Sequence, residues 1–365
     1  MRIVFVSVPL SGHLLPLIPF AAACRDAGHD VVLASGDFPA DVLGLRTADI
    51  GARFSLRSGA MRSALRHPRL ARAEMAGRAG HRFVGEIFGR AGLALEEPLL
   101  ALAGTEKPDL IVYESLSEVG AIVAGRLGVP SVLQENTLWP AEQLFQAVAG
   151  SSVLAGREVP APDLTIAVTP PSLRAVPAGP GAVPMRPEPY SGGGHLPDWL
   201  ATPGDRPRVL VSRSTLSGPD TGDPGPAVIA AAGAVDAEFV LVRGETRRGL
   251  PRNVRPVGRI PLNQALPYAA AFVHHAGAGS VLGGLAAGVP QLTTPGAGDR
   301  RHNAELLARR GAGLAVPAKS ITAADLDRLL TDPSLLAAAR EVAAEIAAMP
   351  SPAAVVPALE KLAGR

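Results

Sequence analysis

Residues 271–314, AFVHHAGAGSVLGGLAAGVPQLTTPGAGDRRHNAELLARRGAGL, leave the least freedom in how this chain can fold. An apolar run ends in two histidines and a glycine-rich turn. A small-residue helix, a second apolar run ending at Pro295 and an Asp-led loop opening another helix follow. A helix that begins at 277–280 points free backbone N–H groups and the positive end of its dipole at whatever lies beside His275, and the glycines let a ligand approach the backbone. The favoured ligand is an anion, a phosphate or diphosphate first of all. Asp299 comes one helix and one strand later, at the carboxyl end of the neighbouring strand, where ligands of parallel α/β sheets collect. An acid beside a phosphate site usually binds hydroxyls, which suggests a sugar nucleotide. Taken singly the glycines are weak signals, since Ala286, Ala287 and Gly288 are also what close helix–strand packing needs. The G-x-G of Gly277 and Gly279 gains its third glycine one residue late, at Gly283, so the dinucleotide fingerprint fails, and no G-x-x-x-x-G-K-[ST] loop is present.

At 365 residues the chain has room for two domains of ordinary size. Its 47% hydrophobic content, with few aromatics and much Ala, Gly and Pro, favours tightly packed parallel α/β layers. A net charge of +2 makes no case for nucleic acid as a partner, although arginine sets the pI near 9.0. The single cysteine, Cys24, excludes an internal disulfide and any four-cysteine metal site, which fits a reducing cytoplasm. The opening strand is interrupted at Pro9, Gly12 and His13, so no secretory segment is expected, and no apolar run reaches membrane-spanning length.

In chain order, 3–8 reads as a strand, 14–27 as a helix and 30–34 as a strand, the start of a parallel sheet with His13 at its carboxyl edge. A lone histidine there can simply cap the helix. From 36 to 97 the β character is lost, and residues 55–82 hold Arg57, Arg62, Arg66, Arg69, Arg72, Arg78 and Arg82 against one acid, Glu74. Most such runs are solvated helix faces. Order returns with a strand at 110–113 ending beside Glu114, a helix at 119–127 stopped by Gly128, and a strand at 131–133. Trp139 follows, as pocket wall or as core, and Phe145 continues along the same side. Residues 170–207 are dense in Pro and Gly and read as a crossing and linker, with the first domain extending to about 200. The second domain, 206–350, has strands at 209–212, 239–242, 254–257 and 271–274. Helices follow at 323–330, 334–349 and 353–362. Asp325-Leu326-Asp327 lies in a helical first turn, where acids complement the dipole, so it is no metal site.

The string 274–303, HHAGAGS then GVPQ, Pro295, Asp299-Arg300 and Asn303-Ala304, resembles the donor-binding signature HHGGAGT, GVPQ, P, DQ, NA of the family 1 glycosyltransferases. The likeness is greatest to the bacterial enzymes that glycosylate antibiotic and other natural-product aglycones. Gly12-His13 with Pro16 resembles that family's GHxxP, and 108–114, PDLIVYE, its PDLVVxD. The resemblance covers nearly the whole chain. It implies a GT-B fold, an α/β architecture of two facing Rossmann-like domains, with residues 351–365 returning to the first. It implies an inverting transferase, with a nucleoside diphosphate sugar and a small-molecule aglycone as partners and a dTDP-deoxysugar favoured. His13 would be the general base and Glu114, one methylene longer than the usual aspartate, its orienting acid. Ser11, Gly12, Arg213, Ser214, Thr215, the backbone of Ile260, His275, Gly277, Ala278, Gly279 and Ser280 would hold the donor nucleotide. Asp299 and Arg300 would meet the sugar, and Trp139 and Phe145 the acceptor.

Two departures bear on specificity. Arg300 stands where the family has Gln, so either the donor differs from glucose or the arginine turns outward. Arg259 stands where many relatives have Trp, so stacking on the base is not expected. No cofactor or metal is expected, and the assembly is expected to be a monomer or a homodimer. Two rival classes share the architecture: a nucleotide-sugar 2-epimerase, which needs carboxylates in its cleft, and a non-catalytic nucleotide-binding partner of another transferase.

Overall fold

Short apolar segments, each followed by a helix pattern, form two separate all-parallel sheets in the computed structural model, which describes residues 1–75, 77–214, 222–244 and 249–364. The first unit comprises Met1–Thr169, Ala175–Arg186 and Met349–Arg365, and the second Pro170–Arg174 and Pro187–Ala348. Strands β1 (Arg2–Val6), β2 (Asp30–Ser35), β3 (Arg46–Asp49), β4 (Leu110–Glu114), β5 (Ser131–Gln134), β6 (Leu164–Ala167) and β7 (Val183–Pro184) make the first sheet, in the order β3-β2-β1-β4-β5-β6-β7. The direction of progression reverses between β1 and β4, whose register pairs Val4 with Ile111. Ligands of such sheets bind outside that switch point, and His13 and Glu114 both lie there. Continuous Val, Ile and Leu runs in β1 and β4 follow from burial on both faces.

Helices α1 (Ser11–Leu14), α2 (Ile18–Asp26), α3 (Leu56–Arg66), α4 (Pro68–Met75), α5 (His81–Glu106), α6 (Val119–Leu127) and α7 (Ala141–Ala149) complete most of this unit. Helix α7 buries Ala141, Leu144, Phe145 and Val148, spaced for one helical face. It crosses α5 at glycines: a Cβ on Gly85 would lie 2.2 Å from the Ala147 carbonyl oxygen, and one on Gly89 at the same 2.2 Å from Ser151 Oγ. The crossing holds Phe88 in the core, where its ring sits 5.8 Å from that of His13.

The second sheet repeats the plan. Strands β8 (Arg208–Ser212), β9 (Glu238–Val242), β10 (Val254–Val257), β11 (Ala271–His274), β12 (Gln291–Thr293) and β13 (Gly313–Ala315) run in the order β10-β9-β8-β11-β12-β13, and the reversal falls between β8 and β11. Around them lie α8 (Gly225–Ala232), α9 (Leu262–Ala265), α10 (Ala278–Ala286), α11 (Arg300–Arg310), α12 (Ala323–Thr331) and α13 (Pro333–Ala348), before α14 (Pro352–Leu362) packs on α2 of the first unit. Asp325 closes a capping box with Thr322, as a first-turn acid does. Among the described residues no single helix is long and apolar enough to cross a membrane.

The structure differs from the sequence reading at two places. Strand β3 lies inside the stretch expected to lack β structure; RTAD has no apolar alternation, and only pairing with β2 makes it a strand. Residues 187–200, read as first-domain linker, belong to the second unit. Arg208 fixes them there: its buried guanidinium donates to the carbonyls of Trp199, Leu200 and Thr202 and to Glu238, while Arg255 lies 4.1 Å over the Trp199 ring. Such saturation is what a buried cation requires. The arginines of 55–82 are exposed on α3, α4 and the start of α5, as a solvated face would be.

Gly85→Ala is expected to destabilise the protein by about 1–3 kcal/mol, because a backbone oxygen cannot yield to the new methyl. Gly104→Ala, on the same helix but with open space around its Cβ, is expected to be neutral or stabilising by about 0.5–1 kcal/mol. Urea denaturation of the two variants against wild type checks the contrast; equal effects would mean that α5 and α7 are not held at glycine contact.

Candidate active site

At the first switch point the chain leaves β1 and turns so that the His13 N–H bonds the Leu10 carbonyl at 2.9 Å, placing His13 in the single turn of α1. Glu114, the last residue of β4, is fully buried. Its Oε1 accepts from the Val8 N–H at 3.2 Å and from Ser117 Oγ at 2.6 Å. Its Oε2 accepts from the Leu116 N–H at 2.9 Å and from Asn136 Nδ2 at 2.9 Å, and lies 3.2 Å from His13 Nδ1. Burial pushes the carboxyl up, but His13 and the surrounding donors outweigh it and hold Glu114 below the usual carboxylate range. A buried ionised carboxylate thus faces an imidazole whose side chain stays 23% exposed. The extra methylene of Glu is accommodated in direct contact.

Asn136, two residues past β5, carried no motif in the sequence, yet its Nδ2 also lies 3.0 Å from His13 Nδ1. The only signal that could have found it is the rule that residues just past a strand's carboxyl end collect at the site. Glu118, at the start of α6, is a second buried acid. Burial first, and then the Glu114 charge, push it well above the carboxylate range, so it stands protonated with Oε1 unpartnered among the described residues. Trp139 is 8% exposed, and the His81 ring meets it edge-on at 4.6 Å. Phe145 corrects an expectation: it is 2% exposed in the core against Tyr113, because it falls on the apolar face of α7. Ser11 and Gly12 sit in α1, with open space around the Gly12 Cα.

In the second unit, α10 begins at Gly277 with no side-chain cap, and Ala278 and Gly279 occupy its first positions. The Ser280 N–H turns back to the Gly277 carbonyl at 3.0 Å, and Gly279 is exposed with space for a ligand. The His275 ring lies against Gly277, where a Cβ would sit 2.7 Å from Nε2 and the ring would have to shift. Burial pushes His275 down to about 3, helped by His274, Arg300 and Arg243, so the imidazole is a neutral hydrogen-bonding group. His274 is fully buried. Its Nε2 donates to Gln291 Oε1 at 2.7 Å while Nδ1 accepts from the Ala276 N–H at 3.2 Å, and burial lowers it to about 4.

These bonds hold Ala276 at φ +63°, a left-handed conformation that favours glycine, and the Ala276 carbonyl accepts from Asn303 Nδ2 at 2.9 Å. Asn303 also donates to Asp299 Oδ2 at 2.8 Å, tying that acid to the histidine turn. Arg300 folds back over Gly296 and donates to the Ala297 carbonyl at 3.1 Å, near enough for its charge to be felt at His275. Arg243, at the carboxyl end of β9, was not singled out in the sequence; it donates to the Arg213 carbonyl, and burial and the charges of Arg213 and Arg259 lower its pKa. Ser214 follows Arg213 beyond β8, and Thr215 lies outside the described residues. The Ile260 side chain is core beside Leu200 and Phe272, so only its backbone is left for a ligand. Among the described residues no group of three or more His, Cys, Asp and Glu side chains is arranged to hold a metal ion.

Comparisons with known proteins agree over the full length. The model of the erythromycin biosynthesis protein CIII-like N-terminal domain matches residues 22–214, and that of the corresponding C-terminal domain matches 226–362. The elloramycin glycosyltransferase ElmGT of Streptomyces olivaceus is 33% identical, with 100% of this chain and 98% of that protein covered. An L-demethylnoviosyl transferase of Streptomyces niveus is 34% identical, covering 98% and 97%. The crystal structure of the glycosyltransferase SnogD from Streptomyces nogalater superposes with a TM-score of 0.81 at 31% identity, covering 99% of each chain. The glycosyltransferase SsfS6 of Streptomyces sp. SF2575, complexed with thymidine diphosphate, gives 0.82 at 29%, again over 99% of each.

His274 predicts an acid-sensitive second unit. The unfolded chain binds a proton near the ordinary imidazole value of about 6.5, whereas the native ring resists it down to about 4. The stability from this group is therefore full above about pH 6.5 and is lost as the pH falls toward 4, by roughly 3 kcal/mol. Urea unfolding from about pH 7 to pH 5 checks this. Wild type is expected to lose more than His274→Gln over that range, and parallel losses would mean that His274 protonates in the native state.

Proposed function

The chain belongs to the erythromycin biosynthesis protein CIII-like glycosyltransferases of the GT-B fold, and on that premise we propose that it moves a deoxysugar from a thymidine diphosphate donor to a hydroxyl of a natural-product aglycone. The observation that carries this reading is the His13–Glu114 pair, a partly exposed imidazole on a fully buried carboxylate at the carboxyl edge of the first sheet. With the Nδ1 proton directed at Glu114, Nε2 is the basic atom. In an in-line displacement the acceptor oxygen bonds the anomeric carbon as the bond to the diphosphate oxygen breaks, and the configuration inverts. The acceptor proton passes to Nε2, and Glu114 stabilises the imidazolium.

Charge that grows on the leaving diphosphate needs donors already in place. The second unit offers the N–H groups that open α10, the neutral His275, and the cations Arg243 and Arg300. We take the reaction to need no resident metal, since these groups suit the diphosphate directly. Asp299, held by Asn303, would accept from sugar hydroxyls. Thymidine is favoured because SsfS6 and the spinosyn rhamnosyltransferase SpnG have been solved with thymidine diphosphate, and a relative 30% identical is named TDP-daunosamine transferase DnrS.

His13→Ala is expected to lower kcat by about 10²–10⁴-fold with donor affinity nearly kept, and Glu114→Gln to cost less. Wild-type turnover by His13→Ala would place the base elsewhere. For the donor site, thymidine diphosphate at about a hundred times its Kd is expected to stabilise the protein by about 2.7 kcal/mol, more than the same concentration of UDP. His275→Ala is expected to weaken that shift, which thermal melts read directly; a melting point indifferent to thymidine diphosphate would remove the assignment.

A further inference from the structure

Two groups contend for one ring atom. Glu114 Oε2, 3.2 Å from His13 Nδ1, is ionised and can only accept; Asn136 Nδ2, 3.0 Å from the same atom, can only donate. A protonated Nδ1 satisfies the carboxylate and opposes the amide, whereas a bare Nδ1 accepts from the amide and opposes the carboxylate. The amide cannot escape by turning end for end. Its Nδ2 also donates to Oε2 at 2.9 Å, and the reverse orientation would set Oδ1 against a carboxylate oxygen. It keeps this orientation although Oδ1 is buried with no partner among the described residues.

We propose that Asn136 is a positioning residue that competes with Glu114 for His13 Nδ1 and thereby shifts the balance between the two neutral tautomers of the ring. The proposal rests on the reading of His13 as general base. When Asn136 donates, the proton sits on Nε2 and that atom cannot receive another. When Nδ1–H points at Glu114, Nε2 holds its lone pair and is competent. An acceptor hydroxyl donates only to the second form, so acceptor binding draws the ring across, and the apparent affinity is reduced by the fraction not yet competent. One neutral hydrogen bond biases such a balance by about five- to tenfold. The ring is approached by Glu114 from β4, Phe88 from α5 and Asn136 from beyond β5, and of these three only Glu114 titrates.

The test is a long-range ¹H–¹⁵N spectrum of the uniformly labelled full chain at a pH where the ring is neutral, with the His13 signals assigned by their loss in His13→Gln. Wild type is expected to hold mainly the Nδ1–H tautomer that the ionised carboxylate favours, with a measurable Nε2–H fraction that Asn136 sustains, and Asn136→Ala to lower the ratio of Nε2–H to Nδ1–H about five- to tenfold. In kinetics, Asn136→Ala is expected to leave kcat and the acceptor KM within about twofold and to move the acid limb of kcat/KM to higher pH. A merely structural role would move neither the tautomer nor that limb. No measurable Nε2–H form in wild type, or one tautomer ratio in both proteins, overturns the proposal, and the wild-type spectrum decides even if Asn136→Ala fails to fold. Wild-type turnover by His13→Ala would instead remove the base reading while leaving the tautomer result standing.

Discussion

A carboxylate taken out of water must be met by donors or it takes up a proton, and Glu114 governs the first half of this protein through that requirement. Its two oxygens are met by the Val8 N–H from the loop after β1, by Leu116 and Ser117 from the turn into α6, by Asn136 from beyond β5, and by the His13 ring. One charge therefore ties together the ends of three adjacent strands at the point where the sheet reverses. Burial, with the Glu114 charge added to it, keeps Glu118 protonated four residues on, so two carboxyls of equal burial stand in opposite states.

The second unit solves the opposite problem, since an anion's cradle must not be filled by the protein's own charges. His274 and His275 are neutral, His274 through burial, which outweighs its bond to Gln291, and His275 through burial and the charges around it. Positive charge is carried by Arg243 and Arg300, whose guanidiniums donate to the carbonyl oxygens of Arg213 and Ala297. Close backbone approach matters as much. Gly277 admits the His275 ring, and Gly284 admits the Gln291 amide, which a Cβ would meet at 2.5 Å. The exception is Ala276, a left-handed alanine where the related string carries glycine; its N–H and C=O are both tied, which is what keeps it in a conformation that strains its Cβ.

Within the family, membership fixes the class of chemistry, and this chain's own departures shape its details. Glu114 in place of aspartate still reaches His13 directly, so the longer side chain leaves the contact intact. Arg300 in place of glutamine lies on its own loop within electrostatic range of His275, which brings a cation into the region where the related enzymes carry a neutral amide. A donor sugar with fewer hydroxyls needs fewer acceptors, and an arginine supplies none.

Local pattern determined much of this protein. Apolar runs ending in Gly, His or an acid placed most strands and helices to within a residue or two, since strand and helix periods are properties of neighbours in the chain. The motifs at 12–16, 108–114 and 274–304 named the residues of both strand edges. Only the tertiary structure made a strand of Arg46–Asp49, because a polar edge strand is specified by its partner, and only it assigned residues 187–200 to the second unit, through the carbonyls that Arg208 binds 6 to 9 residues away. Packing likewise decided that Phe145 is core, that Arg243 joins the cationic edge, and that Asn136 touches His13, because each depends on what distant segments bring alongside. The His13–Glu114 and His13–Asn136 contacts span 101 and 123 residues. No periodicity reaches that far, and the compaction of a parallel sheet around its switch point is what closes the distance.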